Sequence, residues 1–199
     1  MPRQPDPELE GRILHAADVL WRRGGEQALT MRAVAQAAGT NTPAVYRRFK
    51  NREDLIRGLL LRIVARLRRY FEQGQSLEQM AETYVEFALK TPHDYELFYS
   101  YGTLLNRRTG GKQRRPIRES RPNFGLVEQM AAKELGGTPD DHTELALQLW
   151  SLLHGMTMLL LNKSLPDGHD AELRDACRTA VKTLIANAKQ KRELYSGAR

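Results

Sequence analysis

The stretch LTMRAVAQAAGTNTPAVYRRFKNREDL, residues 29–55, decides the fold. Thr30 is a capping residue type placed before Val34, Ala35 and Ala38, which recur at helical spacing. Gly39 ends that run, since glycine accepts the left-handed conformation in which helices stop. Thr42-Pro43 restarts a helix at once, because a proline in the first turn sacrifices no hydrogen bond. This second helix, Pro43 to Phe49, is about two turns long, and Asn51 caps the next. Two short helices joined by Gly39-Thr40-Asn41-Thr42 after a longer one make a helix-turn-helix over residues 30–49.

The chain on either side reads as helix throughout. Upstream, Asp6-Pro7 opens a helix whose Ile13, Ala16, Ala17, Leu20 and Trp21 share one face, and Gly24-Gly25 ends it. Downstream, the fourth helix carries Leu55, Ile56, Leu59, Leu60, Ile63 and Leu67 to Tyr70 or beyond. Ser76-Leu77-Glu78-Gln79 fits a capping box and opens a fifth to about Lys90. Thr91-Pro92 opens a sixth to about Leu105, Pro122 a seventh to Leu135, Thr138-Pro139 an eighth to about Lys163, and Asp170 a ninth to about Arg192. No stretch alternates with period two, so the expected fold is all-α with about nine helices. The one long irregular segment is 106–120, where six basic residues precede the first acid, Glu119. It reads as a solvated loop or as a lure for an anionic ligand or DNA.

Charge separates the chain into two parts. Residues 1–69 hold 14 Lys and Arg against 7 Asp and Glu, whereas residues 70–199 hold 17 of each, so the whole net charge of +7 lies in the first third. A basic segment on a neutral one fits a polyanion-binding head on a body with another task; the alternative is a solvated basic surface. Cys177 is the only cysteine. It excludes an intrachain disulfide and a cysteine-based zinc site and suits a reducing, cytoplasmic location. The first 12 residues have no apolar run, so no signal peptide is expected. The most apolar run, Leu145 to Leu161, is read as shorter and more polar than a bilayer span, and no membrane partner is expected. Catalytic, nucleotide-cofactor and metal signatures are missing: no His-Glu-x-x-His, no Gly-x-Ser-x-Gly, no glycine fingerprint, and Gln113 where a phosphate loop after Gly111-Lys112 needs Ser or Thr. The expectation is a protein that is not an enzyme and carries no cofactor.

Residues 29–39 and 43–55, in this order and spacing, resemble the DNA-binding region of the TetR family of bacterial transcriptional regulators, and the resemblance covers about residues 8–60. The helix count agrees with that family. The resemblance implies a three-helix head, residues 1–53, with a fourth helix connecting to a regulatory and dimerisation domain, residues 54–199. It places Thr30 and Arg32 against backbone phosphate. Thr42, Pro43, Ala44 and either Arg47 or Arg48 would meet bases, and Tyr46 would touch phosphate. Lys50 and Arg52 would grip backbone. Arg47 and Arg48 lie about 100° apart around the helix, so only one of them can face bases. The turn Thr40-Asn41-Thr42, also expected at the DNA, varies in the family, so the operator sequence is not legible in it. Val34, Ala38, Val45 and Phe49 are expected in the core.

Trp150-Ser151-Leu152-Leu153-His154-Gly155 is similar to a Trp-x-x-x-His-Gly signature in the body of one TetR subgroup. By resemblance the last two helices dimerise; the candidates are Leu149, Leu153, Ala176, Ala180 and Leu184. Gly155 is read as permitting close helix approach, and His154 as a core histidine or a ligand contact. Tyr84, Tyr95, Phe98, Tyr99, Phe124, Trp150, His154 and Met158, with Tyr101 beside them, line an apolar pocket or belong to ordinary core. The implied function is a homodimeric repressor that binds a palindromic operator in double-stranded DNA and is released by a small, largely apolar inducer. The alternatives are an architectural DNA-binding protein without small-molecule input, or an activator of the same fold.

Overall fold

A computed structural model describes residues 6–105 and 116–196. Among these there are ten α-helices and no strand. They are α1 (Leu9–Ala28), α2 (Met31–Ala37), α3 (Thr42–Arg48), α4 (Arg52–Gln73), α5 (Leu77–Lys90), α6 (Pro92–Tyr101), α7 (Ile117–Ser120), α8 (Pro122–Leu135), α9 (Thr143–Leu161) and α10 (Asp170–Ser196). Short 3₁₀ turns follow α6 (Gly102–Leu105) and precede α9 (Pro139–His142). The expected all-α fold is therefore the observed one. The tenth helix is α7, inside a segment read as irregular; the rest of that segment, residues 106–115, lies outside the described residues.

The described residues form two compact units. The first contains residues up to Ile63 together with those from His93 to Leu105. The second contains Val64 to Pro92 and the described residues from Pro116 onward.

In the first unit, local chemistry sets each boundary. The Asp6 carboxylate accepts from the Glu8 backbone N–H at 2.9 Å, but α1 itself begins at Leu9, after Glu8 rather than after Asp6 as the sequence suggests. The helix breaks at Gly24 and Gly25, the latter at φ 57°, and resumes for one turn to Ala28. Thr30 caps α2 through a bond from Ala33 N–H at 3.1 Å, and Gly39 follows at φ 65°. Asn41 caps α3: its side-chain oxygen accepts from Ala44 N–H at 2.9 Å. Val34, Ala38, Val45 and Phe49 are buried as expected, with Trp21, Leu29, Leu55 and Leu59. Burying such side chains contributes roughly 1.5–3 kcal/mol each, which is what holds helices of seven residues that would not persist alone.

Helix α6 belongs to this first unit. The Trp21 indole N–H donates to the His93 carbonyl at 2.6 Å, and the Arg22 guanidinium reaches the Asp94 carboxylate at 3.4 Å. Asp94 is 1% exposed, so that charge is held by a partner rather than by water. Trp21 also meets Tyr101 edge to face at 6.2 Å.

The second unit packs α5, α8, α9 and α10 around one another. Ser76 and Gln79 accept backbone N–H groups at the start of α5, from Gln79 and Gln75, while the Glu134 carboxylate from α8 accepts from Leu77 N–H at 2.5 Å. Residues 139–161 are long and apolar enough to cross a membrane by length and composition, contrary to the reading of that run as too short. Leu145, Ala146, Leu149, Leu153, Met156, Thr157 and Leu160 are nonetheless buried, the placement of a core helix. Cys177 is buried, and burial pushes its thiol above the ordinary range, away from the reactive thiolate.

Candidate nucleic-acid interface

Helix α3 is anchored by one face and open on the other. Ala44, Val45 and Phe49 are buried, whereas Pro43, Tyr46, Arg47 and Arg48 are on the accessible side, Tyr46 exposed to 50% although it is a large aromatic residue. Thr30, Arg32, Asn41 and Lys50 are exposed, and Thr40 and Thr42 are partly so. Most of the predicted DNA-binding residues thus belong to the accessible surface of the first unit. Ala44 is a correction: at 4% exposure its methyl group is part of the core and is closed to a base edge. The one-in-four spacing that brings Ala44 near Arg48 on the helix surface says nothing about which face the core claims.

The basic residues divide by what they touch. The Arg48 guanidinium donates to the Asp6 carbonyl at 2.9 Å, which ties the end of α3 to the chain before α1. Arg52 departs from its predicted role as a simple phosphate grip. Its Nε donates to the Leu29 carbonyl at 3.2 Å, and its Nη2 to the Glu26 carbonyl at 3.3 Å and the Glu26 carboxylate at 3.1 Å. The Tyr101 hydroxyl also bonds Glu26. That bond, then the Arg52 charge, holds the Glu26 carboxyl below its usual range. Burial, then the same bond, pushes the Tyr101 hydroxyl upward. Glu26 and Tyr101 were not expected at this surface. Glu26 follows a glycine pair and Tyr101 lies nearly 50 residues beyond Arg52, so no local pattern in the sequence joins them.

The predicted ligand residues fall into two groups. Tyr95, Phe98 and Tyr99 are in the first unit, where Tyr99 packs against Tyr95 at 4.6 Å and Phe98 at 5.3 Å. Tyr84, Phe124, Trp150, His154 and Met158 are in the second. Tyr84 stacks on Phe71 at 6.5 Å, and Phe124 meets Trp150 edge to face at 6.1 Å. His154 is half-buried, and burial lowers the pKa of its imidazole. Tyr101, read with this cluster, is instead committed to Trp21 and Glu26.

The dimerisation candidates also change. Leu149 and Leu153 are 3% and 7% exposed, so they serve the core of their own chain and are closed to a partner. The open row on α9 is Leu147, Ser151, Gly155 and Leu159, spaced by four, with Leu147 and Leu159 37% and 40% exposed. Apart from its own helix backbone, no atom of the described chain comes within 4 Å of where a Cβ on Gly155 would sit, so this glycine is not explained by packing against the rest of the chain. On α10, Ala176 is exposed, and Ala180 and Leu184 are half-buried.

Comparison with known proteins agrees with this architecture. Residues 13–59 match the family of bacterial regulatory proteins, tetR family, and residues 77–184 match the tetracyclin repressor-like C-terminal domain. Among solved structures, the chain is similar to a TetR-family transcriptional regulator from Streptomyces coelicolor, at 20% identity over 91% of this chain and 99% of that one, with a TM-score of 0.62. It is similar to the multidrug binding protein EbrR complexed with imidazole, at 20% identity, 92% and 93% coverage and a TM-score of 0.62. It also resembles a single-residue variant of TetR from Acinetobacter baumannii AYE in complex with minocycline, at 20% identity, 95% and 99% coverage and a TM-score of 0.55. Comparison with curated proteins finds no match. The two domain matches together cover most of the chain, and the chain belongs to the TetR family of transcriptional regulators.

Proposed function

We propose that the protein is a homodimeric repressor that binds a palindromic operator in double-stranded DNA and releases it when a small, largely apolar inducer binds the body. The observation that carries this reading is the division of α3: Ala44, Val45 and Phe49 fix it in the core, leaving Pro43, Tyr46, Arg47 and Arg48 to face outward. A short helix presented this way fits the major groove, with its first residues at base edges. Thr30, Arg32, Tyr46 and Lys50 are assigned to positioning on the sugar-phosphate backbone, Thr42 and Pro43 at the start of α3 to base edges, and Thr40 and Asn41 to the turn that brings them to the DNA. Arg47 is assigned to bases, because Arg48 is already tethered to Asp6.

The second copy is assigned to the open row of α9, with Leu147 and Leu159 flanking Ser151 and Gly155. Exposed leucines on either side of a residue without a side chain suit two helices that cross closely about a two-fold axis. The inducer is assigned to the aromatic residues of the body, Tyr84, Phe124 and Trp150, with His154 and Met158. The complexes of EbrR with imidazole and of the Acinetobacter baumannii TetR variant with minocycline support a small-molecule site in a protein of this fold. An inducer that binds better to a state whose heads no longer match successive major grooves lowers DNA affinity by the difference in its binding free energies. Such a regulator acts in the cytoplasm and carries out no catalysis.

The test is selection from a randomised pool of duplex DNA by the purified protein at about 150 mM salt, where non-specific binding is weak. An enriched palindrome supports sequence reading and two-fold assembly together. Duplex binding with no enriched sequence would replace this reading with an architectural one.

A further inference from the structure

Arg52 is held in two different ways. Its bonds to the carbonyls of Leu29 and Glu26, at 3.2 and 3.3 Å, fix where the guanidinium sits and leave its charge intact. The Glu26 carboxylate, at 3.1 Å, adds little to position and neutralises that charge. Both side chains are open to solvent, 36% for Arg52 and 59% for Glu26, so a phosphate can reach the place the carboxylate occupies. Arg52 also bonds Leu29, the residue before Thr30, and lies two residues from Lys50 in sequence, within the surface assigned above to the DNA backbone. The carboxylate is in turn steadied by the hydroxyl of Tyr101, at the end of α6, whose ring lies against Trp21.

We propose that Glu26 is a built-in competitor of DNA for Arg52: its carboxylate stands in for a phosphate, and Tyr101 holds it there. Arg52 then grips backbone only when the DNA phosphate displaces Glu26. The contact is an autoinhibitory one, and the firmness of the Tyr101 bond sets its strength. This rests on the reading of the head as a DNA-binding unit.

The experiment measures affinity of the full-length protein for one selected duplex, as a function of salt, for wild type, Glu26→Gln, Arg52→Ala, the double variant and Tyr101→Phe. A Gln at 26 keeps the shape and removes the charge. Glu26→Gln is expected to bind more tightly and to steepen the slope of log K against log salt by about 0.9 per subunit, the signature of one more phosphate neutralised. Tyr101→Phe is expected to move affinity in the same direction by less. In the Arg52→Ala background, Glu26→Gln is expected to leave the slope unchanged, which separates competition for Arg52 from the loss of a negative charge near DNA. Weaker binding by Glu26→Gln, or the same steepening with and without Arg52, would overturn the proposal. Failure of the wild type to bind any duplex would instead overturn the reading on which it rests.

Discussion

The Arg118 Nε lies 2.7 Å from the carboxylate of Glu128, a side chain only 1% exposed in the middle of α8. The other Glu128 oxygen accepts from the Thr143 hydroxyl at 2.6 Å, and Arg118 also pairs with Asp140. One buried carboxylate thus ties α7 to α8 and to the start of α9. Arg118, one of a run of basic residues that reads as a solvated loop, is instead structural.

Arg118→Ala leaves the Glu128 charge buried without its partner. It should destabilise the protein by about 3 kcal/mol, whereas replacing both residues by apolar ones of similar size should cost much less. Urea denaturation of the two variants checks this; an equal loss in both would mean that the pair is not what holds α7.

Gly39→Ala places a Cβ on a residue at φ 65° in the turn between α2 and α3. With nothing but its chain neighbours within 4 Å of that Cβ among the described residues, the cost is conformational alone, roughly 1–2 kcal/mol. A thermal melt that does not shift downward would count against the strain.

Lys50→Ala and Arg47→Ala should differ in kind. Loss of a phosphate contact at Lys50 should weaken binding alike on all sequences and flatten the salt slope by about 0.9 per subunit, from about −6 for a dimer that neutralises about seven phosphates. Loss of a base contact at Arg47 should change the preferred sequence. Repeating the duplex selection with each variant distinguishes them.

Leu147→Glu combined with Leu159→Glu should give a monomer that keeps its helical content, because both side chains are on the open row of α9. Sedimentation velocity with circular dichroism measures the two properties together. A dimer that survives both charges would move the interface elsewhere.

His154 makes stability depend on pH in a known direction. Burial lowers its folded-state pKa below the ordinary 6.5, so below that value the unfolded chain takes up the proton more readily than the folded one. Its contribution is therefore present above about 6.5 and is lost as pH falls through that value toward the folded pKa. His154→Gln should flatten the stability curve over this window; an unchanged slope would show that other groups set it.

Much of the head was legible because its signals are local. Thr30, Gly39 and Asn51 act on backbone groups within four residues, and the buried set Val34, Ala38, Val45 and Phe49 follows from helical spacing. For the candidate site, the sequence names residue types but not which way they face. Ala44 and Arg52 match the family pattern by position, yet one is enclosed by the core and the other is taken by Glu26. The same limit applies to α9, which is apolar nearly all round, so that its sequence does not separate Leu149 and Leu153, turned inward, from Leu147 and Leu159, turned outward.

The sequence by itself determined the all-α class, the position of most helices and the basic first third, since capping, periodicity and net charge are sums over near neighbours, and the family through the motif over residues 29–55. The tertiary structure alone decided which arginines are paired within the chain, that α6 belongs with the first unit, and that Arg118 serves Glu128. Those outcomes depend on side chains from distant parts of the chain meeting at about 3 Å, where burial and charge pairing, rather than local propensity, choose the partner.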